Sequence, residues 1–573
     1  MMKRRPFFYF LAVSIVVLLL TGIGGCYWLV RGSPLTLLQG GTQATPEAAI
    51  FVPKQAPVMV SILVNPDRLE KLRQAIARPK ERRRSRLELD QIKTTLLANT
   101  GLDYRRDVQP WLGDEITVAV TTSDYDSDQY NGQQPGYLMA LATKDAEKSR
   151  EFLQLVFSKQ AIAPTDLEFE DYKGVNLVYH KPHAQGESLQ PSTRILSGAV
   201  VGDRFVLLAN HPRVIKDAIN NVQAPDLNLT TSSRYQQALS QLPPRRLGLA
   251  FLNLPGVISW QGLDTARTYE SQIIALEANR KGLLTETTLL AASPQEVALT
   301  PELTDPVGAL KYIPATSGLA IAGTDLSNLN NTALSKLWKQ VAQISTSGYD
   351  AISRLINQPL ANLQQRWGIN LEEDIFSWVQ GEYAIALLPH ADTSTSDWIF
   401  VTEKSPATTE GISRLDTLAR QRGYDITTLP LGDQKIAAWT QLTTAPLAKA
   451  NSEAGAITIK AKVLGVHGST DKYEILTTSV DAMDAAFKAD QAGSLLNDAK
   501  FQASIEAIPQ PNAGYVYLDW TTTQSLLERQ LPALKLVEVI AKPLFDNLRS
   551  LSVSSYGSEP GLLKGGVFFR LNE

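Results

Sequence analysis

Two short segments combine acidic and aromatic residues in one pattern. DVQPWLGDEITVAV runs from residue 107 to 120, and DIFSWVQGEYAIAL runs from residue 374 to 387. The positions they share are Asp107, Trp111 and Glu115 in the first segment and Asp374, Trp378 and Glu382 in the second. A carboxylate pair supplies the groups for general acid–base catalysis, which also needs a cleft and a perturbed pKa.

The residues after the tryptophan favour a structural role over a catalytic one. Gly113 and the apolar–polar alternation that follows it indicate that a short helix ends and a strand begins near Glu115. In that geometry Asp107 caps the helix and Trp111 fills the core at the corner. Glu115 is then expected to accept backbone or arginine hydrogen bonds. The motif therefore predicts a helix-to-strand corner, with an acid–base site as the alternative.

A second acidic segment, DYDSDQYNG at residues 124–132, has the alternate spacing of a calcium-binding loop. Its oxygen-bearing residues are Asp124, Asp126, Asp128 and Asn131. However, Gln129 replaces the glycine of such loops, and Pro135 stands where their bidentate glutamate belongs. A solvated hairpin tip is therefore the prediction, and weak cation binding is the alternative.

The remaining chemistry-bearing residues do not form a recognisable enzyme motif. His180 and His183 lie in or beside a predicted loop, and His211 precedes Pro212 at a predicted helix start, so surface or capping roles are expected. The single cysteine excludes an intramolecular disulfide and any metal site of several thiolates. No nucleophile, nucleotide-binding or zinc motif is present. We therefore predict no enzyme and no cofactor, and keep an extracytoplasmic hydrolase as an alternative.

A basic run, RPKERRRSR at residues 78–86, contains one acid, Glu81. Its cations are Arg78, Lys80, Arg82, Arg83, Arg84 and Arg86. A solvated helix start is one interpretation, and contact with anionic headgroups or an acidic partner is the other.

The amino terminus has the pattern of a membrane anchor. Residues 1–6 form a basic tip, and residues 7–30 are 24 uncharged, mainly apolar residues, long enough to span a bilayer as one helix. The basic tip predicts a cytoplasmic amino end and a body on the far side of the membrane. Cys26 follows a stretch that resembles a lipoprotein cleavage box, so lipidation at Cys26 and simple signal cleavage are alternatives to the uncleaved anchor.

The length and charge of the chain limit the remaining choices. A chain of 573 residues is too long for one ordinary core and predicts several domains or two large ones. The formal net charge is −3, and residues 1–31 contribute +4, so the remainder carries −7. This acidic balance argues against nucleic acid as the main partner.

The body of the chain contains an internal repeat. Residues 48–69 resemble residues 308–329, and residues 232–254 resemble residues 498–520. Similar order and nearly constant spacing indicate two copies of one domain. We therefore assign a stalk linker at residues 31–47, a first domain at 48–292, a linker at 293–307 and a second domain at 308–573.

Each copy is predicted to be α+β. Residues 58–64, 115–122 and 137–143 have strand patterns, and residues 145–157 have a helix pattern. Because many strands are joined by short turns, antiparallel sheets with helices packed on one face are expected.

The whole chain resembles a cyanobacterial family of membrane-anchored proteins known as domain of unknown function 3352 (DUF3352). FVPKQAPVMVSILVNP, DVQPWLGDE and GDRFVLLANHP carry this resemblance. It implies a plasma or thylakoid membrane location with the body in the periplasm or lumen, and it implies no catalytic residues.

Together these features favour a membrane-anchored, extracytoplasmic protein that binds or organises a protein or envelope component without catalysis. A carrier that holds a lipid or pigment between helices and sheet is the alternative, and it needs a continuous apolar cavity of about 300 to 1,000 Å³. The sequence leaves the oligomeric state open.

Overall fold

The structure is a computed structural model of the chain. It describes residues 45–65, 67, 103–128, 130, 132–160, 167–180, 197–244, 246–261, 269–279, 281–293, 303–327, 361, 364–365, 367–389, 396–446, 457–524, 545, 547–556 and 559–571. The chain divides into two compact units between residues 297 and 298.

The described part of the first unit contains ten strands and four α-helices. Its strands are β1 Val58–Ile62, β2 Leu112–Thr122, β3 Gly136–Thr143, β4 Leu167–Tyr172, β5 Val175–His180, β6 Ser197–Val201, β7 Phe205–Ala209, β8 Gly248–Asn253, β9 Tyr269–Asn279 and β10 Gly282–Ala291. Its helices are α1 Ala146–Gln160, α2 Pro212–Gln223, α3 Ser233–Ser240 and α4 Leu254–Gln261. A 3₁₀ helix, Glu47–Phe51, precedes β1.

All strand pairings described within this unit are antiparallel. The strand order is β4-β5-β6-β7-β3-β2-β1-β8-β9-β10. The tight β4–β5 turn has Lys173 and Gly174 with φ angles of 56° and 80°, a left-handed conformation that suits the right-handed twist of a hairpin. The expected α+β class with antiparallel sheet is therefore confirmed.

Helices cover both faces of this sheet, so the expectation of helices on one face was wrong. On β7, Leu207 packs in the cluster that contains Ile215 of α2. The next residue, Leu208, points the opposite way and packs in the cluster that contains Phe152 of α1. Successive side chains of a strand point to opposite faces, and all five residues of β7 are buried. Such a continuous apolar run is typical of a strand covered on both sides.

The described part of the second unit also contains ten strands and four α-helices. Its strands are β11 Leu319–Thr324, β12 Glu382–Pro389, β13 Ser396–Glu403, β14 Asp425–Leu431, β15 Gln434–Pro446, β16 Ile457–Ser469, β17 Tyr473–Thr477, β18 Asn512–Asp519, β19 Ser550–Tyr556 and β20 Leu562–Arg570. Its helices are α5 Leu371–Asp374, α6 Pro406–Gln421, α7 Val480–Ala492 and α8 Ala499–Ile505.

The second sheet has the strand order β14-β15-β16-β17-β13-β12-β11-β18-β19-β20, again antiparallel throughout. Each strand takes the place of the strand ten numbers earlier in the first unit. One face packs against α7, where Met483 joins a buried cluster with Ile399 and Val401 of β13. On the other face, the ring of Phe400 lies 6.4 Å from that of Trp378.

The predicted linkers are longer than the structure supports. Pro46 is buried and Glu47 begins the 3₁₀ helix, although both residues were assigned to the stalk. Leu303 pairs with Asn512, and Val307 lies in the core of the second unit, although both were assigned to the linker 293–307. These residues belong to the domains, because Pro46 and Val307 are buried there and the backbone of Leu303 pairs with a residue of the second unit.

Within the part of the chain that the structure describes, no helix is both long enough and apolar enough to cross a membrane. The predicted anchor at residues 7–30, Cys26 and the basic run 78–86 lie outside that part.

Candidate functional site

Asp107 stabilises the turn that opens the first corner, which we define as residues 103–115. The turn is a five-residue π-helical segment, Tyr104–Val108. Asp103 precedes it and accepts a hydrogen bond from the backbone N–H of Arg106 at 2.9 Å. Asp107 Oδ2 in return accepts the N–H of Asp103 at 2.8 Å. The two carboxylates thus cap one turn reciprocally, in the manner of a capping box.

Trp111 is the buried centre of this corner and is 1% exposed. Its Nε1–H donates to the carbonyl oxygen of Asp107 at 2.8 Å. Its ring packs on Phe152 of α1, with centroids 4.7 Å apart. Gly113 follows at a point where an added Cβ would lie 2.9 Å from the carbonyl oxygen of Ala142. The indole therefore joins the turn to α1, and the glycine lets β2 approach β3.

Glu115 ties β2 to the 3₁₀ helix Glu47–Phe51. It is 1% exposed, and its two oxygens accept the backbone N–H groups of Glu47 and Ala48, each at 2.9 Å. The hydroxyl of Thr117 donates to the same carboxylate at 2.9 Å. Glu115 therefore caps the amino end of a helix that is distant in sequence.

The second corner, residues 370–382, repeats these contacts. Asn370 Oδ1 accepts the N–H of Glu372 at 3.1 Å, and Asp374 Oδ2 accepts the N–H of Asn370 at 2.8 Å. Trp378 Nε1–H donates to the carbonyl oxygen of Asp374 at 2.7 Å. Glu382 accepts the N–H of Gly308 at 3.0 Å. The three shared residues thus make matching bonds in both units.

The glutamates of the two corners differ in their surroundings. The side chain of Glu382 is 26% exposed and accepts the hydroxyl of Tyr473 at 2.6 Å. Lys472 lies 4.0 Å from the same carboxylate. Glu115 has no such cation among its described contacts and is almost completely buried. The glutamate of the second corner is therefore more exposed to solvent than that of the first.

The pKa values of the two carboxylates in the first corner shift in opposite directions. The hydrogen bond from the Arg106 guanidinium lowers the pKa of Asp107 to about 2, against the opposing effect of burial. Burial raises the pKa of Glu115, while its backbone hydrogen bonds oppose that rise. Both carboxylates accept internal N–H donors, so their chemistry is to hold backbone in place.

The acidic loop uses its carboxylates locally. Asp126 Oδ1 accepts the N–H of Asp128 at 3.1 Å, and Asp128 Oδ1 accepts the N–H of Tyr130 at 2.9 Å. Asp124 Oδ1 lies 3.4 Å from the N–H of Gln134. Among the described residues no group of three or more His, Cys, Asp or Glu side chains is placed to hold a metal ion. Asn131 lies outside those residues.

His180 is the last residue of β5, and His211 directly precedes α2. His183 lies outside the described residues. The ring of His180, at the end of β5, is 5.6 Å from that of Phe157. His211 caps α2, because its Nδ1 accepts the N–H of Arg213 at 3.2 Å. Tyr125 of the acidic loop stacks on His211 with centroids 4.2 Å apart. Burial lowers the pKa of His211, and Arg213 adds to this against the attraction of Asp126.

We expect this cap to make the first unit sensitive to acid. Because the pKa of His211 is lower folded than unfolded, its contribution to stability is lost as pH falls below about 6.5. A protonated Nδ1 cannot accept the Arg213 N–H. His211→Asn should keep a cap and remove this part of the acid sensitivity, whereas His211→Ala should lose about 1 kcal/mol at neutral pH. Urea unfolding at several pH values measures both effects, and equal pH profiles for wild type and His211→Asn would contradict the assignment.

The sequence did not reveal a polar cluster in the second unit. Trp439 Nε1–H donates to Asp416 Oδ1 at 2.8 Å, and His467 Nε2 lies 3.1 Å from the same oxygen. Asp416 is on α6, whereas the other two residues are on β15 and β16. The sequence separations of 23 and 51 residues carry no local pattern that could have predicted the cluster.

A small hollow lies beside this cluster. It is about 10 Å³ in volume and is lined by Trp367, Ile369, Leu415, Leu418, Ala419, Arg422, Tyr424, Trp439 and Leu464. Its size is that of one water molecule, far below the roughly 300 to 1,000 Å³ of a small-molecule site. This hollow therefore does not support the lipid- or pigment-carrier alternative.

The fold and the corners define a class of α+β protein with two units. The units have the same strand order, and each contains an Asp–Trp–Glu corner. The family model described as "Protein of unknown function (DUF3352)" matches residues 11–571. The chain belongs to this family.

Comparisons with curated proteins and solved structures add little. No curated protein matches the chain. Similar solved structures include "Structure of crystal form I of TP0453", with 8% identity over 44% of this chain and 80% of that chain at a TM-score of 0.23. Another is "Structure of crystal form IV of TP0453", with 9% identity over 43% of this chain and 81% of that chain at a TM-score of 0.24.

Proposed function

We propose that the protein is a membrane-anchored, extracytoplasmic scaffold that binds a protein or envelope component and has no catalytic activity of its own. The observation that carries this proposal is the use of the Asp–Trp–Glu corners. The sequence left acid–base catalysis as the alternative role of these residues, and in both units their polar atoms bond to backbone. The Asp and Trp residues of the two corners thus stabilise the fold through hydrogen bonds to the backbone.

The two units support a scaffold in a second way. We infer that they arose by duplication, because they share one strand order and one corner geometry as well as sequence similarity. Two similar units on one chain can present two binding surfaces. Linked surfaces bind a partner more tightly overall than either surface alone, because the second binding event is intramolecular. The family resemblance adds a cyanobacterial plasma or thylakoid membrane as the expected setting.

The placement across the membrane follows from the amino terminus. An uncharged stretch at residues 7–30 preceded by a basic tip is the pattern of an anchor with its amino end in the cytoplasm. The body then lies in the periplasm or lumen.

Thiol labelling tests this placement. In a Cys26→Ala background, single cysteines at Gln154 on α1 and Asp433 in the β14–β15 turn, both exposed, mark the two units. We expect a membrane-impermeant maleimide to label both from the extracytoplasmic side of intact membranes. A third variant, Met2→Cys, is the matched control and should label only after permeabilisation. Labelling of the units only after permeabilisation would contradict the proposal.

The state of the amino terminus distinguishes the three forms of attachment. We expect the purified protein to retain residues 1–30, as an uncleaved anchor does. A mass that begins at Cys26 and includes acyl chains would show a lipoprotein, and Cys26→Ala would then abolish membrane retention. An unmodified shorter chain would show signal cleavage.

Crosslinking in native membranes tests the binding role. We expect the full chain to crosslink to a specific partner through residues of the two units. Residues 1–47 expressed alone serve as the control, since this segment keeps the anchor and lacks both units. If the full chain yields only the partners of that control, the scaffold proposal is wrong.

A further inference from the structure

Two glutamates meet on neighbouring strands of the first unit. Glu277 of β9 is opposite Leu284, and Glu286 of β10 is opposite Ala275. The glutamates are therefore diagonal neighbours on one face of the hairpin. Their side chains are close enough to interact as hydrogen-bond partners. Two carboxyl groups can form that bond only when one of them holds a proton, because an ionised carboxylate has no hydrogen to donate.

This face of the hairpin is buried beneath α3. Phe251 of β8 is opposite Ile273 of β9, and the ring of Tyr235 from α3 lies 5.1 Å from that of Phe251. Ile273 and Glu277 are four residues apart on one strand, so their side chains point to the same face. The acid pair thus lies on the side of the sheet that α3 covers.

The charged and titratable groups around Glu277 come from several elements. Arg246, just before β8, is 4% exposed and interacts electrostatically with Glu277 and with Tyr235 of α3. Glu286 faces Glu277 from β10, and Glu115 of β2 interacts electrostatically with Tyr235. Arg246 Nε and Nη1, the Tyr235 hydroxyl and Glu277 Oε1 have no hydrogen-bond partner among the described residues. Arg246 thus offsets one negative charge on Glu277, and a second charge on the pair would lie beside the first in a half-buried site.

We propose that Glu277 and Glu286 form a proton lock, in which one shared proton keeps the β9–β10 hairpin closed under α3 and its removal by hydroxide opens the hairpin. The proton leaves as water, and no other bond changes. The two carboxylates that remain repel each other, and their partial burial weakens the screening of that repulsion by water. The lock is a property of the first unit and does not depend on the proposed function.

The direction of the pH response follows from the same groups. Burial, with the hydrogen bond to Glu286, raises the pKa of Glu277 to about 8, far above the value of an exposed glutamate. A raised pKa in the folded state means that stability falls as pH rises from about 4.5 to about 8, because folding then requires uptake of a proton. Above that range both carboxylates are ionised.

The second unit lacks the lock and serves as an internal reference. By strand register, Glu277 corresponds to Tyr556 and Glu286 to Gly566. Neither residue has an ionisable carboxyl group, so the β19–β20 hairpin should not share the alkaline response.

Hydrogen exchange on the full-length protein tests the lock. We expect exchange in β9–β10 peptides, corrected for the chemical rate, to rise at least tenfold from about pH 6 to about pH 9.5, while β19–β20 peptides change little. Glu277→Gln should remove the rise, because an amide bonds to Glu286 without ionising. Glu373→Gln, at an exposed glutamate, is the matched control and should keep the wild-type profile. An unchanged rise in Glu277→Gln, or an equal rise in β19–β20, would overturn the proposal.

A second measurement does not depend on the folding of Glu277→Gln. For the wild type, the infrared spectrum at neutral pH minus the spectrum at about pH 9.5 should contain a protonated-carboxyl stretching band, because ionisation of the Glu277–Glu286 pair removes that group. The absence of that band would also overturn the lock.

Discussion

Trp111→Ala should destabilise the first unit by about 3 to 5 kcal/mol, the range for truncation of a buried aromatic side chain. The indole is 1% exposed and contacts Phe152 of α1. Its removal leaves a cavity between the corner and the helix, and it leaves the carbonyl oxygen of Asp107 without the Nε1–H donor. Both effects act on one unit, so the transition of the second unit should stay in place.

Guanidinium unfolding followed by circular dichroism measures this loss, with hydrogen exchange to assign each transition to a unit. A chain of two units need not unfold in one step, so the assignment is necessary. Trp111→Phe keeps most of the ring volume and loses the hydrogen bond, and should cost about 1 to 2 kcal/mol. Phe169→Ala is the surface control, because Phe169 is 72% exposed, and should change stability by less than about 0.5 kcal/mol. If Trp111→Ala costs no more than Phe169→Ala, Trp111 does not hold the corner.

Local sequence patterns predicted many of the elements but not their full boundaries. The strand predicted at residues 58–64 appears as β1, Val58–Ile62. The strand predicted at 115–122 begins earlier, at Leu112, because Leu112 already pairs with Thr143. The register shifts between Leu112 and Ile116, so the alternation of side chains is interrupted there. Such an irregularity hides the start of a strand from periodicity.

The alternation of apolar and polar residues along a strand did not show on which faces of the sheet the helices pack. The run FVLLA at β7 is buried on both faces, and it was the local sign that helices cover both sides of the sheet. The Asp–Trp–Glu corner was accessible to sequence reasoning because its twin marked it as structural. Glu277 and Glu286 had no twin, and their meeting depends on the register of β9 with β10. The polar cluster around Asp416 likewise depends on long-range packing.

Glu115→Ala should also have a large effect and destabilise the first unit by about 2 to 4 kcal/mol. The substitution leaves the N–H groups of Glu47 and Ala48 without their acceptor at the start of a 3₁₀ helix, and Thr117 loses its acceptor as well. Each buried donor left unpaired costs about 1 to 3 kcal/mol. Part of this loss is offset, because the burial that raises the pKa of Glu115 also disfavours its ionised form.

The twin residue Glu382 is the matched control for this prediction. Glu382→Ala removes the acceptor of the Gly308 N–H and of the Tyr473 hydroxyl, but the Glu382 side chain is 26% exposed, so water can replace it. We expect a loss of about 1 kcal/mol in the second unit, clearly smaller than the loss caused by Glu115→Ala. Chemical unfolding of both variants, with the transitions assigned by hydrogen exchange, gives the comparison. Equal losses would mean that burial of the capping carboxylate does not set the strength of the corner.

The pH dependence of Glu115→Gln separates the capping role from the burial cost. Because the pKa of Glu115 is raised in the folded protein, its ionisation reduces stability as pH rises through about 4.5 and above. The introduced amide cannot ionise, so this decline should disappear in the variant. Its carbonyl oxygen can still accept the Ala48 N–H, but its amino group opposes the Glu47 N–H, so a loss of about 1 to 2 kcal/mol should remain. A variant as stable as wild type at neutral pH would show that the carboxylate contributes little as a cap. The corner would then depend on Trp111 and on the turn capped by Asp103 and Asp107.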